Sequence, residues 1–184
     1  MMNMKCSGSA VRRGFLREAD HRLLSALRDC GADPRVAAAA RALSRSGEHG
    51  ALWLAAGLAG AAVDRERRAH WLRGTALTAA AHLASMGVKR IVRRPRPGHV
   101  EPLVRTAGRH SFPSSHATSA TTAALVYGAL RPACARVVPP LAAAMCVSRM
   151  VVGVHYPSDV AAGAALGAFA ARAGTTWIGG LTDG

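Results

Sequence analysis

The sequence predicts an all-α fold: a multi-pass membrane bundle of about five apolar helices, preceded by an N-terminal amphipathic helix. Three observations carry that prediction. Half of the 184 residues are hydrophobic, but Ala dominates and aromatics make up only 4%, a composition rich in helix formers and poor in strand signals. Apolar segments at roughly 49–63, 71–88, 115–130, 137–152 and 159–178 alternate with short charged connectors. Trp53, Trp71 and Trp177 fall near segment ends, where an interfacial belt would place them.

Residues 1–14 carry no periodic apolar pattern and are expected to be disordered. From Phe15 to about Leu43 the pattern is amphipathic, with Leu16, Leu23, Leu24 and Leu27 at helical spacing among Arg17, Arg22 and Arg28. Such a helix either lies on an acidic membrane surface or packs on the rest of the protein, and Pro34 breaks it in two. The expected organisation is therefore an N-terminal segment over 1–45 and a membrane-embedded domain over 46–184. The N-terminus has basic residues with no apolar run after them, so no cleavable signal peptide is expected.

Most of the apolar segments are shorter than the ~20 residues a spanning helix needs, and several hold polar residues, such as His82, Ser85 and Arg172. Short charged connectors nevertheless fit a multi-pass bundle better than a soluble one. Gly163 and Gly167 form a small-xxx-small face suited to close helix approach. The N-terminal region and the 89–110 connector are both basic, which places them in the cytoplasm, although Arg65, Arg67, Arg68 and Arg73 pull the other way. The formal net charge of +14 calls for an anionic partner: nucleic acid, acidic lipid or a phosphorylated substrate. The four cysteines, Cys6, Cys30, Cys134 and Cys146, are widely separated and read as unpaired thiols packed as small hydrophobes.

Three polar stretches interrupt the apolar background. The first runs from Lys89 to Pro97 and includes Arg93 and Arg96, with Pro95 and Pro97 ending any helix there. Arg offers a bidentate fork to phosphate and Lys a compact charge; spacing alone does not separate a phosphate cradle from a juxtamembrane anchor. Its place between apolar segments argues against a nucleic-acid signal. The second, Pro113-Ser114-Ser115-His116, opens the third segment and reads either as an anion site at a helix N-terminus or as a plain Ser cap with an incidental His. The third holds Ser148, Arg149, His155 and Asp159. A spacing of four places His155 and Asp159 on one helical face if the last segment starts near Tyr156-Pro157, where the carboxylate would orient the imidazole. Metal ligation by His155, Asp159 and His116 or His110 is the alternative, and the surrounding cations oppose it.

Together the three stretches resemble the signature of the type 2 phosphatidic acid phosphatase family, within the vanadium haloperoxidase superfamily. That signature is K-x6-RP, PSGH and SR-x5-H-x3-D. Lys89 with Arg96-Pro97 fits the first, Pro113-Ser114-Ser115-His116 the second, and Ser148-Arg149, His155 and Asp159 the third, with Ser115 standing where the pattern has Gly. The resemblance implies metal-independent phosphomonoester hydrolysis with no cofactor. His155 is then the nucleophile, Asp159 its orienting carboxylate and His116 the acid and base. Lys89, Arg96, Arg149, Ser114 and the Ser115 N–H would hold the phosphate. The implied partners are a lipid-phosphate substrate and membrane lipids, with no nucleic acid. Gly47-Glu48-His49 and the run Ser115–Ser119 resemble the branch that dephosphorylates decaprenylphosphoryl-5-phosphoribose, ahead of polyprenyl diphosphate or phosphatidylglycerol phosphate. A non-enzymatic binder of anionic lipid is the competing class. It has no use for an imidazole paired with a carboxylate.

Overall fold

The computed structural model describes residues 5–106 and 108–178, with the backbone alone for 5–13 and 176. Among these residues every regular element is helical: α1 Lys5–Asp29, α2 Pro34–Ser46, α3 Ala51–Val63, α4 Arg68–Val92, α5 Ser115–Leu130, α6 Pro132–Val151, α7 Pro157–Ala173 and the short α8 Thr175–Ile178. Helices α3 to α7 fall on the five expected apolar segments. Helix α1 begins at Lys5, so residues 5–14 are helical where disorder was expected, while residues 1–4 lie outside the described range.

The break between α1 and α2 has the expected cause. After a 3-10 turn over Cys30–Ala32, Asp33 caps α2 by accepting hydrogen bonds from Arg35 N (2.7 Å) and Val36 N (3.2 Å), and Pro34 takes the first helical position. Both N-terminal helices pack on α6, and α1 also touches α7. Leu24 is fully buried in that contact, while Phe15, Leu16 and Leu23 stay exposed. Only part of the apolar stripe of α1 thus faces the protein.

Helix α5 is the centre of the bundle and packs against α3, α4, α6 and α7. Its sequence explains this position: Ser, Ala and Thr fill most of its length, so neighbours approach on every side and eleven of its residues are buried. Its hydroxyls do not need outside partners. Thr118, Ser119 and Thr122 donate to the carbonyls of Ser114, Ser115 and Thr118 one turn back, at 3.1, 3.0 and 2.9 Å. In α4, Thr75 and Thr78 do the same towards Trp71 O and Gly74 O, and Ser85 bonds His82 O three residues back. Polar residues inside apolar segments are therefore compatible with a dry core.

The Gly163/Gly167 face of α7 meets α5 almost backbone to backbone. A Cβ at Gly163 would stand 2.4 Å from Ser114 O, and one at Gly167 2.4 Å from Thr118 O. Larger residues at the other end of α5 complete the core, with Tyr127 donating to Trp53 O at 3.0 Å. Trp53 and Trp71 are 1% and 5% exposed, so they are core residues and not part of an interfacial belt; of the three tryptophans, only Trp177 is exposed. The cause for Trp71 is a polar anchor: its Nε1 donates to Asp64 Oδ2 at 3.1 Å. Asp64 also receives a bidentate pair from Arg131 at 2.6 and 2.7 Å, which holds its carboxyl far below the usual range, with Trp71 adding to the effect. Arg67 donates to Leu130 O at the same end of the bundle.

Helix α6 starts five residues before the expected 137, with Pro132 at its first position, and it carries Pro139 and Pro140 internally. Among the described residues it is the one helix long and apolar enough, by length and composition, to cross a membrane. Of the cysteines, Cys30 is exposed rather than packed, Cys134 lies against the core, and Cys6 has no described side chain.

Filling the α5/α7 contact is expected to destabilise the bundle. Gly163→Val and Gly167→Val should each cost about 1–3 kcal/mol, the range for overpacking. Thermal unfolding of the detergent-solubilised variants checks this, and melting temperatures equal to wild type would contradict the contact.

Candidate active site

The ends of four helices converge at one end of the bundle. Lys89 sits in the last turn of α4. The chain then leaves the helix at Arg93, whose left-handed backbone (φ 52°) turns it away while its N–H still bonds Lys89 O. Pro95 and Pro97 keep the next stretch extended. It is pinned by an antiparallel bridge between Pro95 and His110 and by Ser111, which donates to Arg94 O (2.8 Å) and Pro95 O (3.0 Å). Ser114 caps α5, placing Ser115 and His116 in its first turn. Arg149 comes from the last turn of α6, and Gly153 (φ 75°) reverses the chain to bring His155 back before α7.

These elements enclose a cavity of about 190 Å³ lined by Lys89, Arg96, Ser115, His116, Arg149 and His155, with Arg105, Ser44, Glu48, His49 and His82 among the other residues of its wall. At ~30 Å³ per water it holds the equivalent of roughly six waters, enough for a phosphate and part of what carries it. Its charge is unbalanced. Arg149 is 3% exposed, and among the described residues none of Lys89, Arg96 and Arg149 forms an ion pair with a carboxylate. Arg149 donates to Ser44 Oγ, and its Nε is buried without a partner. Arg96 is held by carbonyls, with Nε on Gly108 O at 2.8 Å and NH1 on Val154 O at 2.9 Å. Cations held this way, buried at Arg149 and half-buried at Lys89 and Arg96, with no ion pair to neutralise them, are stabilised by an anion that the cavity admits.

His155 is 1% exposed, and its surroundings fix its tautomer. Nε2 lies 3.5 Å from Arg96 NH1, a group that only donates, so Nε2 presents its lone pair to the cavity. Nδ1 then carries the proton and faces Asp159 Oδ2 at 3.6 Å, an approach longer than a hydrogen bond. Burial, reinforced by Arg149, Arg96 and Lys89, pushes the imidazole well below its usual pKa and keeps it neutral. His116 Nε2 is 3.2 Å from Ser44 O, which accepts only; the proton on that side belongs to Nε2, leaving Nδ1 as the exchangeable nitrogen.

Asp159 is fully buried behind His155, but the two do not share a helical face. Helix α7 starts at Pro157, so His155 lies in the preceding turn and Asp159 is the third helical residue. The carboxylate earns its place as a cap, accepting from Tyr156 N at 2.9 Å. Its other oxygen accepts from Arg94 NH1 at 2.9 Å, and Arg94 NH2 continues to Asp20 Oδ2 on α1 at 2.8 Å. Asp20 in turn accepts from Ser158 N at 2.9 Å and from the Ser158 hydroxyl. The Arg94 guanidinium also stacks 4.1 Å over the Tyr156 ring. Arg94 is thus a structural bridge rather than a lipid anchor.

The cavity brings together six of the eight residues the sequence nominated, with Asp159 behind them. Ser114 is the exception. It is fully buried, its Oγ accepts from Ala117 N (3.4 Å), and it is not on the cavity wall. Sequence reasoning missed Ser44, Asp20 and the Arg94 bridge. Ser44 sits in an ordinary amphipathic stretch with nothing to mark it, whereas Asp20 stands out as a carboxylate within a basic helix.

Three comparisons bear on this geometry. The family model of the PAP2 superfamily matches residues 70–183. The chain is 47% identical over 134 residues to a decaprenylphosphoryl-5-phosphoribose phosphatase of Mycolicibacterium smegmatis, covering 71% of this chain and 72% of that protein. The protein of the same name from Mycobacterium tuberculosis is 47% identical over 139 residues, covering 73% and 76%. In structure the chain resembles the transmembrane PAP2 type phosphatidylglycerolphosphate phosphatase of Bacillus subtilis, with a TM-score of 0.72 at 18% identity over 92% of this chain and 89% of that one.

The bridge from α1 to Asp159 is expected to influence turnover more than substrate capture. Arg94→Met should lower kcat about 10- to 100-fold with a smaller change in KM, since charge-assisted bonds are worth roughly 1.5–3 kcal/mol. Asp20→Asn should act in the same direction and less strongly. Steady-state kinetics of both variants check this, and a change confined to KM would contradict it.

Proposed function

The chain belongs to the PAP2 superfamily, and on that premise we propose that it is a metal-independent lipid-phosphate phosphatase acting on decaprenylphosphoryl-5-phosphoribose. The observation that carries the reading is the cluster of cations without ion-pair partners among the described residues, buried at Arg149 and half-buried at Lys89 and Arg96, facing a neutral imidazole. The identity to the two mycobacterial phosphatases supports the substrate. A substrate of this kind belongs to the synthesis of a cell-wall polymer built on a polyprenyl carrier.

His155 Nε2 attacks phosphorus in line with the bond to the sugar oxygen, which breaks as the P–N bond forms. His116, protonated on both ring nitrogens once the anionic phosphate is bound, gives its Nδ1 proton to the departing oxygen and is left with the Nε2 proton on Ser44 O. In the second step His116 takes a proton from water, the resulting hydroxide attacks phosphorus, and the P–N bond breaks to release inorganic phosphate. Lys89, Arg96 and Arg149, with the N–H of Ser115 at the start of α5, stabilise the equatorial oxygens in both transition states. Asp159 compensates the positive charge that the phosphorylated imidazole acquires.

In this reading α3 to α7 cross the membrane and α1 lies along its surface. Exposed Leu58, Leu83, Leu125, Val137, Val147 and Phe169 on those five helices support lipid contact, as do exposed Phe15, Leu16 and Leu23 on α1. The catalytic end faces the cytoplasm. Its basic connectors support that orientation, and the opposing signal at the other end is weakened because Arg67 is engaged with Leu130 O.

The purified protein, with chelator present, is expected to release phosphate from decaprenylphosphoryl-5-phosphoribose, and His155→Ala to lose essentially all of it. A His155-independent rate, or activity that chelator abolishes and metal restores, would refute the mechanism. The pH profile follows from the neutral imidazole. Protonating His155 removes its lone pair, and its folded pKa lies below 6.5, so the acid limb of kcat/KM should appear below pH 6.5. Replacing Arg149 by Met removes the strongest of the cations depressing it and should move that limb upward in pH.

A further inference from the structure

One wall of the catalytic cavity is not cationic. Glu48, His49 and His82 line it beside Lys89 and Arg149. None of the steps of phosphoryl transfer uses them, and a carboxylate there repels the phosphate that the rest of the cavity attracts. Among the described residues Glu48 makes no ion pair that would neutralise it. His82 is 8% exposed in the middle of α4, and its Nδ1 is buried without a hydrogen-bond partner. A buried imidazole left unsatisfied costs stability unless something outside the chain compensates.

The turn bearing Glu48 and His49 is held in an uncommon backbone. His49 has φ 54° and Gly50 φ 74°, and for a non-glycine residue the left-handed conformation is retained only where the surroundings enforce it. Gly47 anchors the turn against the catalytic base, since a Cβ there would stand 2.7 Å from His116 Cδ2. The wall is therefore fixed in position relative to the acid that protonates the leaving oxygen. Whatever lies against it is the part of the substrate carrying that oxygen.

We infer that Glu48, His49 and His82 form a hydroxyl-binding subsite that selects phosphomonoesters whose phosphate is borne by a polyhydroxylated carbon skeleton. A carboxylate accepts hydrogen bonds from alcohol O–H groups, and a neutral imidazole both donates to and accepts from them. This set fits adjacent hydroxyls and gives nothing to an acyl ester or a bare isoprenoid. The inference rests on the phosphatase reading above and deepens it. Glu48 and His49 reach the cavity from an exposed turn and His82 from a buried position, so a substrate lacking hydroxyls forfeits its bonds to the turn and leaves the buried imidazole unpaired.

The test compares kcat/KM for decaprenylphosphoryl-5-phosphoribose, its 2,3-dideoxy analogue, phosphatidylglycerol phosphate and phosphatidic acid, in wild type, Glu48→Gln and His82→Phe. Wild type is expected to favour the pentose over its dideoxy analogue by roughly 10-fold, the value of a net hydrogen bond or two at a half-open wall. Each variant should bring that ratio close to one. Phosphatidylglycerol phosphate, with one hydroxyl beside its phosphate, should fall between the pentose and phosphatidic acid if any hydroxyl suffices, and beside phosphatidic acid if the pentose pair is required. Inhibition by inorganic phosphate, which has no carbon skeleton, reports that the cradle of each variant is assembled. A wild-type ratio near one, or variants that lower both rates and leave the ratio unchanged, would overturn the subsite while leaving the phosphatase intact. Release from none of the four lipids by wild type would instead overturn the phosphatase reading itself.

Discussion

The site depends on one constraint: Lys89, Arg96, Arg105 and Arg149 gather around a cavity whose one lining carboxylate, Glu48, forms no ion pair with any of them among the described residues. Isolated charge is expensive to bury, so Arg96 and Arg149 are held by neutral acceptors that fix them in place without neutralising them. Arg96 rests on two carbonyls and Arg149 on the hydroxyl of Ser44. The two acidic groups nearest the catalytic imidazole's network, Asp159 and Asp20, are taken up by Arg94, which keeps them from neutralising the cradle. Sorting the charges in this way lets the cavity retain its attraction for phosphate.

The rest of the bundle serves that arrangement by being rigid where helices end. Helix α5 is narrow, and α7 presses against it at Gly163 and Gly167, so Ser114 and Asp159 meet through a backbone bond of 2.9 Å from Ser114 N to Asp159 O. The starts of α5 and α7 are thereby registered to each other, and His116 and His155 with them. At the opposite end, the Asp64 pair with Arg131 ties α3 to α6 and, through Trp71, to α4. A preorganised cradle needs such ties because misplacing a donor by a fraction of its bond length loses much of its effect.

Much of this was legible in the sequence, for identifiable reasons. Apolar runs in an Ala-rich chain located α3 to α7, and the three polar stretches located the cavity, because cations and imidazoles are conspicuous between apolar segments. What was not legible depends on contacts between distant parts of the chain. Trp53 and Trp71 lie near segment ends, as belt residues do, but tertiary packing buries them. Ser114 has the composition of an anion ligand, yet its hydroxyl faces Ala117 N instead of the cavity. A spacing of four suggested a shared helical face for His155 and Asp159, and the proline at 157 starts the helix between them. Arg94 is indistinguishable from Arg90 and Arg93 in sequence; only the arrival of Asp20 from α1 assigns it a role.

The 3.6 Å separation of His155 Nδ1 from Asp159 Oδ2 is informative for the same physical reason. In the resting enzyme the imidazole is neutral, held so by burial and by the cations around it, and a tight bond to a carboxylate would favour the protonated ring. Asp159 is instead committed to Tyr156 N and to Arg94, which keeps its charge partly satisfied. In the proposed mechanism the ring becomes cationic when Nε2 bonds to phosphorus, and the same carboxylate, already desolvated and a short distance away, then gains an attraction it did not have before. On that mechanism the interaction is stronger in the intermediate, and in the transition state leading to it, than in the ground state, which is the condition for an interaction to accelerate a reaction.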